Sequence, residues 1–200
     1  PGARLGYTLW SRPRKFNVDS PRHPMPDPPY RGRFAPSPTG PLHAGSMLAA
    51  LGSWLLARQA GGEWLLRIED IDPPREVAGA ASDQLRTLAA FGLHHDGEIA
   101  RQSRRGHLYR DALDRLLMRG QAFECHCSRS ELAASGGIHR QCVATAPRAD
   151  PAIRLRVADG CEIAFEDAVH GRIVQRVGRD VGDFVLLRAD GLWAYQLAVV

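Results

Sequence analysis

The sequence lacks several features that would place a chain in a special class. No apolar run approaches the roughly 18 residues that a helical membrane span needs, which excludes that kind of insertion. The first residues contain no apolar core of signal-peptide length, and no internal repeat is visible. Lysine occurs once, at Lys15, and cysteine four times in 200 residues. The formal charge is only +4. Residues 1–24 carry all of that excess, because Arg4, Arg12, Arg14, Lys15 and Arg22 oppose Asp19 alone. From residue 25 onward arginines and acids balance, so net charge gives no sign of a nucleic-acid surface.

What remains resembles an average soluble chain. Apolar residues make up 44% and charged residues 24%, which argues against disorder or a fibre. The length supports one good core, or one core and a small satellite. Residues 1–29, rich in Pro and Arg and without a period, are expected to be a disordered extension; Met25 offers an internal start. Three of the cysteines are spaced for a metal and not for disulfides, so a reducing cytoplasm is expected, with no membrane partner and a monomeric state.

The pattern predicts a strand at 31–35, a Pro/Gly turn, a long helix at about 42–60 stopped by Gly61-Gly62, and a buried strand at 63–68. Strand, helix and strand in about forty residues form a βαβ unit. Pro73-Pro74 blocks continuation of the second strand. Amphipathic helices are expected near 77–91 and 103–119, ended by Gly92 and Gly120. Short strands follow at 152–157, 162–165 and 183–188, and Cys161 reads as a small apolar residue within a strand-like stretch. The run 192–200 is apolar and too short for periodicity to separate helix from strand; because it stops without a cap or polar tail, the chain reads as part of a longer protein.

Two constellations carry chemistry. In RFAPSPTGPLHAGS a strand passes through a turn into a helix whose start holds His43, Gly45 and Ser46. A helix N-terminus offers unpaired N–H groups and the positive end of the dipole, and Gly45 would allow close backbone approach by a phosphate. His43 can stabilise a phosphoryl oxygen as charge develops. The second constellation is Cys125-His126-Cys127 followed by His139 and Cys142. Three thiols and one imidazole can close tetrahedrally on zinc, with His126 and His139 competing for the fourth position. Such a closed set would be structural.

The string RFAPSPTGPLHAGS resembles the signature that opens the nucleotide-binding domain of class I glutamyl-tRNA synthetases, with His43 to Ser46 matching its HIGH-type tetrapeptide. RIEDIDPPRE, Arg67 to Glu76, resembles the second family signature. The Asp-Pro-Pro-Arg-Glu wording, HAGSMLAALGSWLLAR, Gln102-Ser103 and DGLWAYQLAVV are similar to the glutamyl-queuosine branch. The resemblance implies an α/β fold: a Rossmann-like first part over 30–122, a zinc-binding inserted α+β domain over 123–182, and a return to the catalytic domain over 183–200.

The resemblance also implies an ATP-dependent ligase that forms glutamyl-adenylate with Mg²⁺ and transfers the glutamyl group to queuosine in tRNA(Asp). Charging of tRNA(Glu) and a non-catalytic nucleotide- or tRNA-binding module stay open as alternatives. The lysine-bearing KMSKS-type loop of the family and a further glutamate-binding Arg would lie beyond Val200.

Glutamate is expected against Arg33, Phe34, Ala35, Pro36, Ser37, Glu69 and Tyr195. Arg33 would fork the side-chain carboxylate, and Glu69 would hold the ammonium from the carboxyl end of a parallel strand. Ser37 and Tyr195 would supply hydroxyls. Glu69 could instead pair with Arg67 or Arg75, and Tyr195 could be a core aromatic; Asp70 and Asp72 are further candidates. For the metal, the family pattern favours His139 beside Cys125, Cys127 and Cys142, giving one structural Zn²⁺ per chain.

Overall fold

The computed structural model describes residues 29–199; the expected disordered extension lies outside them, apart from residue 29. Strand β1 (Arg31–Phe34) leads through the Pro/Gly turn to helix α1 (Ala44–Gln59) and then to strand β2 (Glu63–Ile68). β1 and β2 pair in parallel, from Arg31 opposite Glu63 to Phe34 opposite Leu66, completing the predicted βαβ unit. Trp64, Leu66 and Ile68 of β2 are buried, and so is the cation Arg67. A strand buried on both faces has no polar side to give up, which is why its sequence reads as nearly continuous apolar residues.

α1 packs on this sheet through Ala50 and Ala57. These small residues let the helix lie close to the strands, and the Trp64 indole N–H donates to Ser53 Oγ at 2.9 Å. Trp64, Leu66, Leu88 and Leu93 complete this first core. Helix α2 (Ala80–Ala90) begins three residues later than predicted, because the Val77 N–H donates to the Pro38 carbonyl and Gly79 takes a φ of 82°. Pro73–Arg75 form a single 3₁₀ turn.

Strand β3 (Ala100–Arg101) adds in parallel to β2, giving the order β1-β2-β3. A 3₁₀ turn over Gln102–Arg105 then opens helix α3 (Gly106–Met118). All three long helices end alike. The N–H two residues past each C-cap, on Gly62, Leu93 and Gln121, returns to the carbonyl of Ala57, Leu88 and Leu116 at 2.9 to 3.0 Å. The intervening Gly61, Gly92 and Gly120 all have positive φ, so the glycine stops are Schellman ends.

Beyond α3 the pairing turns antiparallel. Strand β4 (Ala122–Cys125) pairs with β5 (Ala152–Leu155). β6 (Ile163–Asp167) and β7 (Gly171–Gln175) form a separate hairpin. A short helix α4 (Val177–Asp180) precedes β8 (Val185–Leu187), which joins β5, so the second sheet has the order β4-β5-β8. The apolar run at the end of the chain resolves into a bridge at Trp193 and a helix α5 (Tyr195–Ala198). Cys161 sits just before β6, with its N–H donating to the Ala158 carbonyl, and is half-buried.

α3 belongs to a second core, in which Tyr109 and Leu113 meet Ala122, Leu186, Leu197 and Ala198. Leu113 is wholly buried; truncation of such a leucine to alanine costs about 2–5 kcal/mol. Among the described residues no helix is long and apolar enough to cross a membrane.

Candidate functional site

The carboxyl end of β2 opens onto a cavity of about 300 Å³ whose wall includes Ser37, Glu69, Asp72, Gln102, Arg188 and Tyr195. This is where parallel sheets hold their ligands. Glu69 is mostly buried and its Oε1 takes the Arg67 guanidinium at 2.8 Å. The same guanidinium donates to the Val199 carbonyl at 2.9 Å. Gln102 Nε2 donates to the Ala198 carbonyl at 2.8 Å and lies 3.5 Å from Glu69 Oε1.

Arg67 and Gln102 therefore tie the end of β2 to α5, the helix that carries Tyr195. Of the two ion pairs considered for Glu69, the one with Arg67 forms. Arg75 pairs with Asp72 instead, at 2.6 Å. The pairing uses one carboxylate oxygen of Glu69 and leaves the residue on the cavity wall, so it does not remove Glu69 from the site. Tyr195 is 63% exposed and is not a core aromatic.

Asp70 is occupied, accepting from the Ser103 N–H and Oγ at 2.9 Å and from Arg101 at 3.4 Å. It anchors the turn before α3. Asp72 faces the cavity, with Arg188 3.8 Å away.

A second cavity, about 410 Å³, adjoins the first at Ser37 and Thr39; Phe34, Ala35, Pro36, His43, Gly45 and Ser46 are on its wall. His43 is the N-cap of α1, and its Nδ1 accepts the Ser46 N–H at 3.3 Å. That bond directs the ring back over the first turn. A Cβ on Gly45 would meet His43 Cε1 at 3.0 Å, so the glycine makes room for the imidazole as well as for any nucleotide. Gln84, 2% exposed, donates to the Ser37 and Gly40 carbonyls at 3.0 and 2.7 Å and braces the Pro/Gly turn. Sequence reasoning missed it, although a glutamine between Ala80 and Leu88 on the apolar stripe of α2 is a readable signal. Arg33 is exposed on β1 and lines neither cavity.

The Cys/His constellation converges. Ligand atoms of Cys125, Cys127, His139 and Cys142 all lie within 4.8 Å of one another. Cys125, Cys127 and His139 are buried. His139 Nε2 lies 3.6 Å from Cys142 Sγ, while its Nδ1 is 3.0 Å from Asp183 Oδ2. A carboxylate on the outer ring nitrogen is the arrangement that orients metal-ligating imidazoles. Asp183 Oδ1 accepts the Val157 N–H at 2.8 Å, and the Asp183 N–H donates to the His139 carbonyl at 2.8 Å.

His126 turns away from the cluster, its Nδ1 accepting the Arg148 N–H at 2.9 Å. Of the two candidate histidines, His139 is the one in the cluster. Burial and the neighbouring Cys125 and Cys127 thiols push the Cys142 thiol up. Three soft sulfur donors, one oriented imidazole and the Val143 N–H directed at Cys127 Sγ at 3.2 Å fit a tetrahedral zinc. Glu131 braces the loop, accepting from Ser128 N and Oγ at 2.7 Å and from Thr145 N and Oγ1 at 3.1 Å. These bonds hold its carboxyl down at about 2.

Residues 30–200 match the family described as tRNA synthetases class I (E and Q), catalytic domain. A protein from Xanthomonas oryzae pv. oryzae named Glutamyl-Q tRNA(Asp) synthetase is 64% identical over 176 residues, covering 88% of this chain and 58% of the relative. One of the same name from Chromobacterium violaceum is 58% identical over 180 residues, covering 86% and 60%. The chain thus spans about three-fifths of the length of these curated relatives. Among solved structures, a glutamate tRNA ligase from Elizabethkingia meningosepticum, in complex with its amino acid, superposes with a TM-score of 0.72 at 28% identity, covering 86% of this chain and 41% of that one.

Proposed function

The chain belongs to the class I (E and Q) tRNA synthetase catalytic-domain family, and from that premise we propose that the protein activates glutamate with ATP and transfers the glutamyl group to queuosine in tRNA(Asp). The observation that carries this reading is the pair of adjoining cavities, one with a mostly buried carboxylate and an exposed tyrosine beside arginines, the other at the N-terminus of α1 with His43. The first suits a zwitterion with an extra carboxylate, and the second suits a nucleotide phosphate.

In the proposed reaction an α-carboxylate oxygen of glutamate attacks the α-phosphorus of ATP, an acyl–phosphate bond forms, and the bond to pyrophosphate breaks. Glu69 receives the ammonium on the oxygen that Arg67 leaves free. Ser37 and Tyr195 donate hydroxyls, and Phe34, Ala35 and Pro36 shape the wall between the two substrates. His43 and the Gly45 N–H stabilise charge on the transferring phosphate, while the Ser46 N–H, held by His43 Nδ1, keeps the imidazole over the first turn. Mg²⁺, when bound with ATP, neutralises the phosphates. The family signature alone assigns the side-chain carboxylate to Arg33, which lies exposed outside both cavities; Arg188, on the cavity wall, is the alternative cation. Cys125, Cys127, His139 and Cys142 would hold one zinc, which stabilises an inserted module at 123–182 without taking part in the chemistry. The switch from parallel to antiparallel pairing at β4 supports the start of that module, while β8, paired with β5, carries the same sheet past residue 182.

Glutamate-dependent exchange of labelled pyrophosphate into ATP by the full-length protein tests the activation step. The expected result is exchange with glutamate and not with glutamine or aspartate. In the same assay Arg33→Ala should raise the KM for glutamate roughly tenfold or more, the scale of one lost charge-assisted hydrogen bond, with the KM for ATP unchanged. Exchange independent of glutamate rejects the reading. An unchanged KM in the variant moves the carboxylate to Arg188.

A further inference from the structure

Beyond the two cavities just described lies a third, about 590 Å³, between the Cys/His module and the turn after β8. Its wall carries Arg129, Arg148, Arg154 and Arg188, against a single carboxylate, Asp190. That carboxylate is already paired with Arg188. Arg129, Arg148 and Arg154 form no ion pair among the described residues. Arg154 donates instead to a backbone carbonyl, that of Asp183, at 2.9 Å. Three uncancelled guanidiniums on one concave wall are unexpected in a chain whose charges otherwise balance after residue 25. They concentrate positive potential where a low-dielectric wall focuses it.

Two further observations fix what the cavity faces. Arg129, Val185 and Arg188 line both this cavity and the glutamate-side cavity, so a ligand held here abuts the proposed acyl-transfer site. The module also presents its arginines on an anchored loop: the Arg148 backbone N–H is held by His126 Nδ1, and Cys127 lies on the cavity wall. His126, unused in the Cys/His cluster, thereby positions a cation.

We propose that this arginine-lined cavity binds the phosphodiester backbone of the acceptor RNA loop, next to the nucleoside that receives the glutamyl group. This rests on the reading of an RNA acceptor given above. Arginines without base-edge partners grip phosphates and set register, leaving sequence to be read elsewhere. A flexible single-stranded loop can follow a concave wall that a duplex cannot enter.

The test is direct RNA binding by full-length protein, using a tRNA(Asp) anticodon stem-loop and fluorescence anisotropy across a salt series. Arg148→Ala should weaken binding roughly fivefold at 0.15 M salt and reduce the log–log salt slope by about 0.7 to 0.9, the contribution of one phosphate contact. Arg148→Glu should weaken it further, and Arg148→Lys should recover most of the slope. Glutamate-dependent pyrophosphate exchange should be unchanged in all three variants, because Arg148 lines neither of the other two cavities. ATP at saturating concentration should not displace the stem-loop from this site. Wild-type affinity and slope in Arg148→Glu, no stem-loop binding by the wild type, or displacement by ATP in proportion to occupancy each overturn the proposal. Loss of exchange in the wild type would instead sink the activation reading and leave the binding result to stand by itself.

Discussion

The parallel-sheet half and the Cys/His module are held together by different means. Around β1, α1 and β2 the interior is apolar, with Trp64, Leu66 and Leu88 buried against Ala50 and Ala57. Around the module the buried cluster is Cys125, Cys127 and Leu132, with only Phe123 and Ala144 packed against it. The first region derives its stability from burial. The second has too little apolar surface for that and must rely on its donor atoms, which accounts for an aspartate, a glutamate, a serine and a threonine being used to orient a loop. A region built around ligand atoms is expected to be conditional on a metal, while a region built around tryptophan and leucine is not.

Disrupting the metal set is the strongest way to separate the two. Full-length protein should hold one zinc per chain, and Cys127→Ser should lose it. The scale is large, since apparent binding energies at structural zinc sites in small peptides run to about 10–16 kcal/mol. Hydrogen exchange should then show loss of protection in β4, β5 and the loop between them, with protection kept in β1 and β2. Zinc-free protein with full protection throughout would erase the distinction.

In the sheet half the largest polar liability is the Arg67–Glu69 pair, with side chains only 4% and 10% exposed. Arg67→Ala should destabilise the protein by about 3–5 kcal/mol in urea unfolding, because it leaves a buried carboxylate unpaired. Converting both members, Arg67→Met with Glu69→Gln, should cost less than the single change. Equal costs would mean that the pair is not coupled.

A smaller effect, on the module side, concerns pH. The Glu131 carboxyl sits at about 2 in the folded protein, held down mainly by Ser128 and then Thr145. A depressed folded pKa means stability present above the unfolded carboxylate range and lost as pH falls from about 4.3 toward 2. Glu131→Gln should therefore be less stable than wild type at pH 7, with the gap closing as the medium is acidified through that window. A gap that widens toward low pH would contradict the role given to Glu131.

How much of this was readable from the sequence follows the same division. β2 was placed residue for residue, because an apolar run flanked by Gly61-Gly62 and closed by Pro73-Pro74 leaves little freedom. The helix stops at Gly61, Gly92 and Gly120 were legible for the same local reason. The donors Cys125, Cys127 and Cys142 were legible from spacing; spacing alone left His126 and His139 open, and the family pattern favoured His139, the histidine that lies in the cluster. Extended backbone alternates its side chains, so the residue between two ligands on one face turns to the other, and His126 does so.

Features that depend on distant chain segments were hidden. Asp183 meets His139 across 44 residues, and Arg67 reaches the Val199 carbonyl across 132. β3 is two residues long, too short to carry a pattern. Arg33 was legible as a cation in a family signature, but its absence from both cavity walls was not.

The central claim concerns where the activated glutamate goes. Full-length protein should be incubated with labelled glutamate, ATP, queuosine-bearing tRNA(Asp) and tRNA(Glu), and the label mapped after nuclease digestion. The account predicts label on the queuosine nucleoside of tRNA(Asp) and none at a 3′-terminal adenosine. Label on the terminal adenosine of tRNA(Glu) would contradict it.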